Sequence, residues 1–143
     1  KWRGYLDKSF LWIPWTETSY SWSIKNTGAD RAFGVGESAS AIIPELGSER
    51  RRVDPEEIYI ADVVFVPLED GDRTEALVAT GKKIIAVDLN PLSRTAQMAN
   101  ITIVNNIIRF LPAIIEKAKE LSTHTVKELT VLLSRYNNKA VLN

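Results

Sequence analysis

Asp62-Val63-Val64-Phe65-Val66, Lys83-Ile84-Ile85-Ala86-Val87 and Ile101-Thr102-Ile103-Val104 are three apolar, β-branched runs, each separated from the next by room for one short helix. Uninterrupted apolar strands suit a sheet covered on both faces, and strands that alternate with helices pair in parallel through crossovers. The expected fold class is therefore α/β, an open parallel sheet flanked by helices. The first separator, Asp72 to Thr80, turns Ala76, Leu77 and Ala79 toward a sheet and ends at Gly81, as a helix C-terminus should. The second runs from about Pro91 to Ala99, with Asn90 expected as N-cap and Pro91 in the first turn.

Beyond the third run, Ile107, Phe110, Leu111, Ile114, Ile115, Ala118 and Leu121 recur at helical spacing, which predicts a helix that covers the sheet. Pro112 within it either marks the first turn or kinks the helix. A last helix, about Thr125 to Tyr136, carries Val126, Leu129, Leu133 and Tyr136 on one face, suited to the sheet or to a partner subunit.

Composition narrows the chemistry. The 143 residues are 45% hydrophobic, enough for the core of one ordinary domain. Eighteen basic and eighteen acidic side chains cancel, so no overall field favours nucleic acid or an anionic membrane. Any anion must be held by local geometry. Cysteine is absent, which removes disulfides, thiol nucleophiles and thiolate zinc sites. The single histidine, His124, lies in a polar Ser-Thr-His-Thr stretch that reads as a linker between helices. No apolar run approaches the ~20 residues that span a bilayer, and the start lacks a signal-peptide pattern, so a soluble cytoplasmic protein is expected.

Residues 1–27 differ in kind from residues 28–143. All four tryptophans, Trp2, Trp12, Trp15 and Trp22, fall there with no sustained period. Either they form an aromatic platform for sugars or single-stranded bases, or an atypical segment packs a few rings on the domain's edge. The missing period favours the second. Gly34-Val35-Gly36-Glu37-Ser38-Ala39 fits the glycine turn of dinucleotide folds, but the strand before it is very short and Pro44 and Gly47 interrupt the helix after it. A plain loop is expected.

Chemistry gathers in the loops that leave the three strands, because their carboxyl ends share an edge with helix N-termini. They are Glu69-Asp70-Gly71-Asp72-Arg73-Thr74, Asp88-Leu89-Asn90-Pro91-Leu92-Ser93-Arg94-Thr95 and Asn105-Asn106. Together they suit a nucleoside triphosphate, with Arg94 as a bidentate phosphate donor and Asp88 on Mg2+ or a ribose hydroxyl. Asp70, Asp72 and Asn90 serve equally well as helix caps, and Arg73 as a partner of Glu69. In the second loop Arg94 and Thr95 are not needed to turn the chain, and a buried guanidinium demands an anion. Arg50, Arg51 and Arg52 either steer a phosphorylated substrate or form a solvated charge run.

The string from Ile84 through Asp88-Leu89-Asn90-Pro91-Leu92-Ser93-Arg94-Thr95 to Ala96, followed by Ile101 to Asn106, closely resembles the archaeal phosphopantothenate synthetases, the 4-phosphopantoate–β-alanine ligases. The likeness runs upstream through Arg51-Arg52-Val53-Asp54-Pro55 and Ala61 to Leu77, and covers about Gly28 to Leu121. It implies a Rossmann-like homodimer and an ATP-dependent ligation in coenzyme A biosynthesis, joining 4-phosphopantoate to β-alanine through an acyl-adenylate with release of AMP and pyrophosphate. It also implies ATP contacts at Asp88, Leu89, Asn90, Arg94, Thr95, Asn106 and Ile107. Arg51, Arg52, Asp70, Asp72 and Arg73 are candidates for substrate.

Two departures stand out. Family members are longer, and residues 1–26 do not resemble what precedes Gly28 in them, so a shortened ligase is expected. Asn105 stands where the family usually places aspartate, which removes a possible magnesium ligand. A non-catalytic nucleotide-binding or dimerisation module of the same ancestry is the alternative, and an oxidoreductase using the Gly34-Val35-Gly36 turn a more distant one.

Overall fold

The computed structural model describes residues 40–45, 51–56, 58–68 and 70–142. The tryptophan-rich start, the boundary expected near residue 27 and the Gly34-Val35-Gly36 turn lie outside them. The chain divides into two compact units, Lys1–Phe65 and Val66–Asn143.

In the first unit, β1 (Ala41–Ile42) pairs antiparallel with β2 (Arg52–Val53), Ala41 opposite Val53 and Ile42 opposite Arg52. Ile43 and Val53 are buried, as is Asp54, whose Oδ1 accepts the Glu56 N–H at 2.9 Å. Arg51 and Arg52 are exposed, and Arg52 begins β2.

Three strands, β3 (Val63–Val66), β4 (Lys83–Asp88) and β5 (Ile101–Val104), form a parallel sheet in the order β3-β4-β5. Ile85 lies opposite Ile101 and Asp88 opposite Val104. The expected α/β class is what forms. Burial on both faces holds for β4 alone, where Ile84, Ala86, Val87 and Asp88 are all buried. In β3, Val64 and Val66 are buried while Val63 is exposed, and among the described residues β3 pairs with β4 alone.

Helix α1 (Gly71–Ala79) follows β3, capped by Asp70 and packed through buried Ala76 and Leu77. It stops as its sequence predicts. Gly81 adopts φ +84°, and Gly81 N–H and Lys82 N–H donate to the carbonyls of Val78 and Leu77, the paired bonds of a Schellman end. Helix α2 (Arg94–Met98) joins β4 to β5, with Thr95 and Ala96 buried.

Helix α3 (Ile107–Leu121) forms where its apolar stripe predicts, and it runs through Pro112 beyond the first turn. Proline there leaves the Ile108 carbonyl without its helical donor, a loss water can make good beside so exposed a residue. Its expected role as sheet cover is not what is found. No residue of α3 is buried, and none of α4 (Val126–Arg135) either. Helical spacing places apolar groups on one face but does not say what that face meets. Helix α4 opens with a capping box: Thr125 Oγ1 accepts Glu128 N–H while Glu128 accepts Thr125 N–H at 2.8 Å. The Thr125 N–H, together with the Thr125 hydroxyl that donates to the same carboxylate at 2.7 Å, holds the Glu128 carboxyl below its ordinary pKa.

Tyr136 was expected on the face of α4, but it ends that helix and turns to the sheet. Thr102 N–H on edge strand β5 meets Asn138 Oδ1 at 2.7 Å and Tyr136 Oη at 3.1 Å, and Asn138 Nδ2 donates to the Ala99 carbonyl at 3.0 Å. Side chains at the start of the short helix α5 (Asn138–Leu142) and just before it thus occupy the outward Thr102 N–H that the strand would otherwise offer to another chain.

Candidate functional site

Asp88 ends β4 and is 7% exposed. Its Oδ1 accepts the Asn90 N–H at 2.8 Å and its Oδ2 accepts the Ser93 hydroxyl. Ser93 Oγ in turn accepts the Ala96 N–H at 3.0 Å and so caps α2. One buried carboxylate therefore folds the whole loop, from the strand's last residue to the helix's first turn. Asn90 is not the cap expected of it. Its Oδ1 accepts the Leu92 N–H at 3.0 Å, and Pro91 and Leu92 form a turn before the helix rather than its first residues.

Thr95 is fully buried, and its Oγ1 accepts the Asp70 N–H at 2.9 Å. That bond ties the start of α2 to the cap of α1, where Asp70 Oδ1 also accepts the Arg73 N–H at 3.3 Å. The two helices approach so closely that a Cβ on Gly71 would lie 2.9 Å from Arg94 Cβ and 3.1 Å from Cδ. Glycine is required there by contact, not by a left-handed backbone.

Arg94 differs from its expectation as a buried guanidinium, since its side chain is 57% exposed. Nη1 donates to Asp72 Oδ1 and lies 3.9 Å from Glu75 Oε2, both on α1. At the third loop, Asn105 N–H donates to the Asp88 carbonyl at 3.1 Å. Asn106 N–H donates to Asn105 Oδ1 at 2.7 Å, and Asn106 caps α3 by accepting Ile108 N–H at 2.9 Å.

Asp70, Asp72, Asp88, Asn90, Arg94, Thr95, Asn106 and Ile107 thus lie on three loops and the helix first turns that follow them, tied together at the carboxyl end of one sheet, the edge where α/β folds bind ligands. Arg73 is half-buried in the first turn of α1. Leu89 and Leu92 are exposed beside them, an apolar rim. Arg51 and Arg52 belong to the other unit, and His124 lies in the turn between α3 and α4, its Nδ1 3.2 Å from the Glu120 carbonyl. Sequence reasoning missed Ser93 and Gly71. The signal for Ser93 was its place as a hydroxyl three residues before the buried Ala96; Gly71 had none, because its constraint comes from a residue on another helix.

Asp88 is the residue expected on Mg2+. Both its oxygens are engaged by the loop it folds, and the described residues hold no group of three or more carboxylates or imidazoles placed to share a cation. No helix of the described residues is long and apolar enough to cross a membrane.

Residues 18–143 match the family model of phosphopantothenate/pantothenate synthetase. The chain is 50% identical over 109 residues to the 4-phosphopantoate–β-alanine ligase of Thermococcus kodakarensis, a match that covers 76% of this chain and 42% of the relative. Against the enzyme of the same name from Methanosarcina mazei it is 46% identical over 120 residues, 84% of this chain and 46% of the relative. Each match spans less than half of the curated relative. With a family model matched over most of its length and relatives about half identical to it, the chain belongs to the phosphopantothenate/pantothenate synthetase family.

Proposed function

We propose that this chain supplies the ATP-binding part of a cytoplasmic ligase that condenses 4-phosphopantoate with β-alanine. The observation that carries the reading is the fold of the Asp88–Thr95 loop around one buried carboxylate, with the Arg94 guanidinium left at the surface beside three joined loops. ATP is placed with its phosphates at Arg94, its ribose near Asn90 and its base on the apolar rim of Leu89. Asn106 and Ile107 border the same nucleotide. Asp88 and Thr95 act by holding the loop, since both are buried. Mg2+ enters with the triphosphate as part of the substrate.

The reaction proposed proceeds in two displacements. The carboxylate of 4-phosphopantoate attacks the α-phosphorus and pyrophosphate leaves; the β-alanine amine then attacks the acyl carbon and AMP leaves, with one proton lost from nitrogen. Positioning and neutralisation of phosphate charge carry such a transfer, and no protein nucleophile is needed. Arg51 and Arg52 are proposed for the substrate phosphate on charge alone. A homodimer is proposed from the apolar groups that α3 and α4 leave exposed, among them Ile108, Ile115, Val126 and Leu133.

The test is AMP formation by the full chain from 4-phosphopantoate, β-alanine and ATP. The ligase reading expects AMP that depends on both carbon substrates. Because the matched stretch spans under half of each relative, a second reading is a nucleotide-binding module without turnover. ATP binding with no AMP selects it, and absence of ATP binding overturns both.

A further inference from the structure

The guanidinium that the proposed function assigns to phosphate is already engaged. Arg94 Nη1 bonds Asp72 and faces Glu75 at 3.9 Å, and its aliphatic stem crosses Gly71. Two carboxylates against one guanidinium leave this cluster one negative charge, which opposes a polyanion. Asp70 caps α1, so Asp72 in the first turn is not needed as a cap, although a carboxylate there also suits the helix dipole. All three side chains are more than half exposed, at 57% for Arg94, 70% for Asp72 and 58% for Glu75. Solvated ion pairs of this kind are weak, whereas guanidinium binds phosphate through paired charge-assisted bonds.

We propose that Asp72, backed by Glu75, parks Arg94 in the unliganded chain, and that the phosphate chain of the nucleotide takes the guanidinium from it. Asp72 is then a positioning residue that lowers affinity for free nucleotide and keeps the exposed arginine from binding stray anions. Only the end of the side chain has to turn. The backbone of Arg94 is fixed by the Ser93 cap on one side and by the Thr95 bond to Asp70 on the other. The proposal rests on the reading that Arg94 receives the triphosphate.

ATP is titrated calorimetrically, with chelator and at fixed ionic strength, into the full chain and its Asp72→Asn, Glu75→Gln, Arg94→Ala and Asp72→Asn/Arg94→Ala variants. Parking expects Asp72→Asn to tighten binding about threefold to fivefold, the upper end of the range of an exposed ion pair. Glu75→Gln, removing the more distant carboxylate, should tighten it less. In the Arg94→Ala background the Asp72 substitution should change affinity by less than about twofold, because the pair it breaks no longer exists. Equal tightening in both backgrounds means simple charge repulsion and overturns parking. Unchanged or weaker binding by Asp72→Asn overturns it too, while a loss from Arg94→Ala leaves the phosphate reading intact. Unaltered affinity in Arg94→Ala, or no ATP binding by the unmodified chain, removes that reading and the parking with it.

Discussion

Ser93→Ala is expected to destabilise the chain by about 2–4 kcal/mol, because one hydroxyl performs two duties. As donor it serves Asp88 Oδ2, on a residue 7% exposed, and as acceptor it satisfies the Ala96 N–H in the first turn of α2. Loss of an N-cap hydroxyl costs about 0.5–2 kcal/mol, and a buried acceptor stripped of its donor about 1–3 kcal/mol. The five-residue helix α2 has little else to hold its start. Ser93→Thr retains the hydroxyl and should recover most of the loss. Urea unfolding followed by circular dichroism measures both, and a loss under about 0.5 kcal/mol for Ser93→Ala would show that the Asp88–Ser93 bond does not organise the loop.

Arg94→Ala should act the other way round, leaving stability nearly unchanged and weakening ATP binding about tenfold to a hundredfold. Its ion pair with Asp72 is exposed and contributes little to folding. Hydrogen bonds from a charged donor to phosphate contribute about 1.5–3 kcal/mol, which gives the stated range in affinity. Arg94→Lys should recover part of the binding, since a point charge replaces the charge but not the fork of donors. Calorimetric titration with ATP and thermal melts of the same proteins separate the two effects. A destabilised variant with normal ATP affinity would make Arg94 a structural residue.

The strands and α1 were legible because their signals are local. β-Branched runs mark β3, β4 and β5, and Gly81 marks the end of α1 through a backbone conformation that other residues rarely adopt. The candidate site was legible as a stretch of chain, and the wording of that stretch carried the family. Its internal roles were not. Asn90 and Ser93 are both good caps, and the choice between them depends on Asp88, whose buried carboxylate reaches Ser93 only once β4 is in place. Arg94 reads as a buried cation until Gly71 and Asp72 are brought to it from another helix. Tyr136 fits a helical face in sequence, yet with Asn138 it meets Thr102 on β5 from more than thirty residues away. An apolar stripe shows that α3 has something to bury without naming its partner.

Backbone amide shifts of the isotopically labelled full chain during ATP titration report directly where nucleotide meets the sheet. Shifts concentrated at Leu89 to Ala96 and at Asn105 to Ile108 are expected. Saturable shifts elsewhere, with those two stretches unmoved, would contradict it.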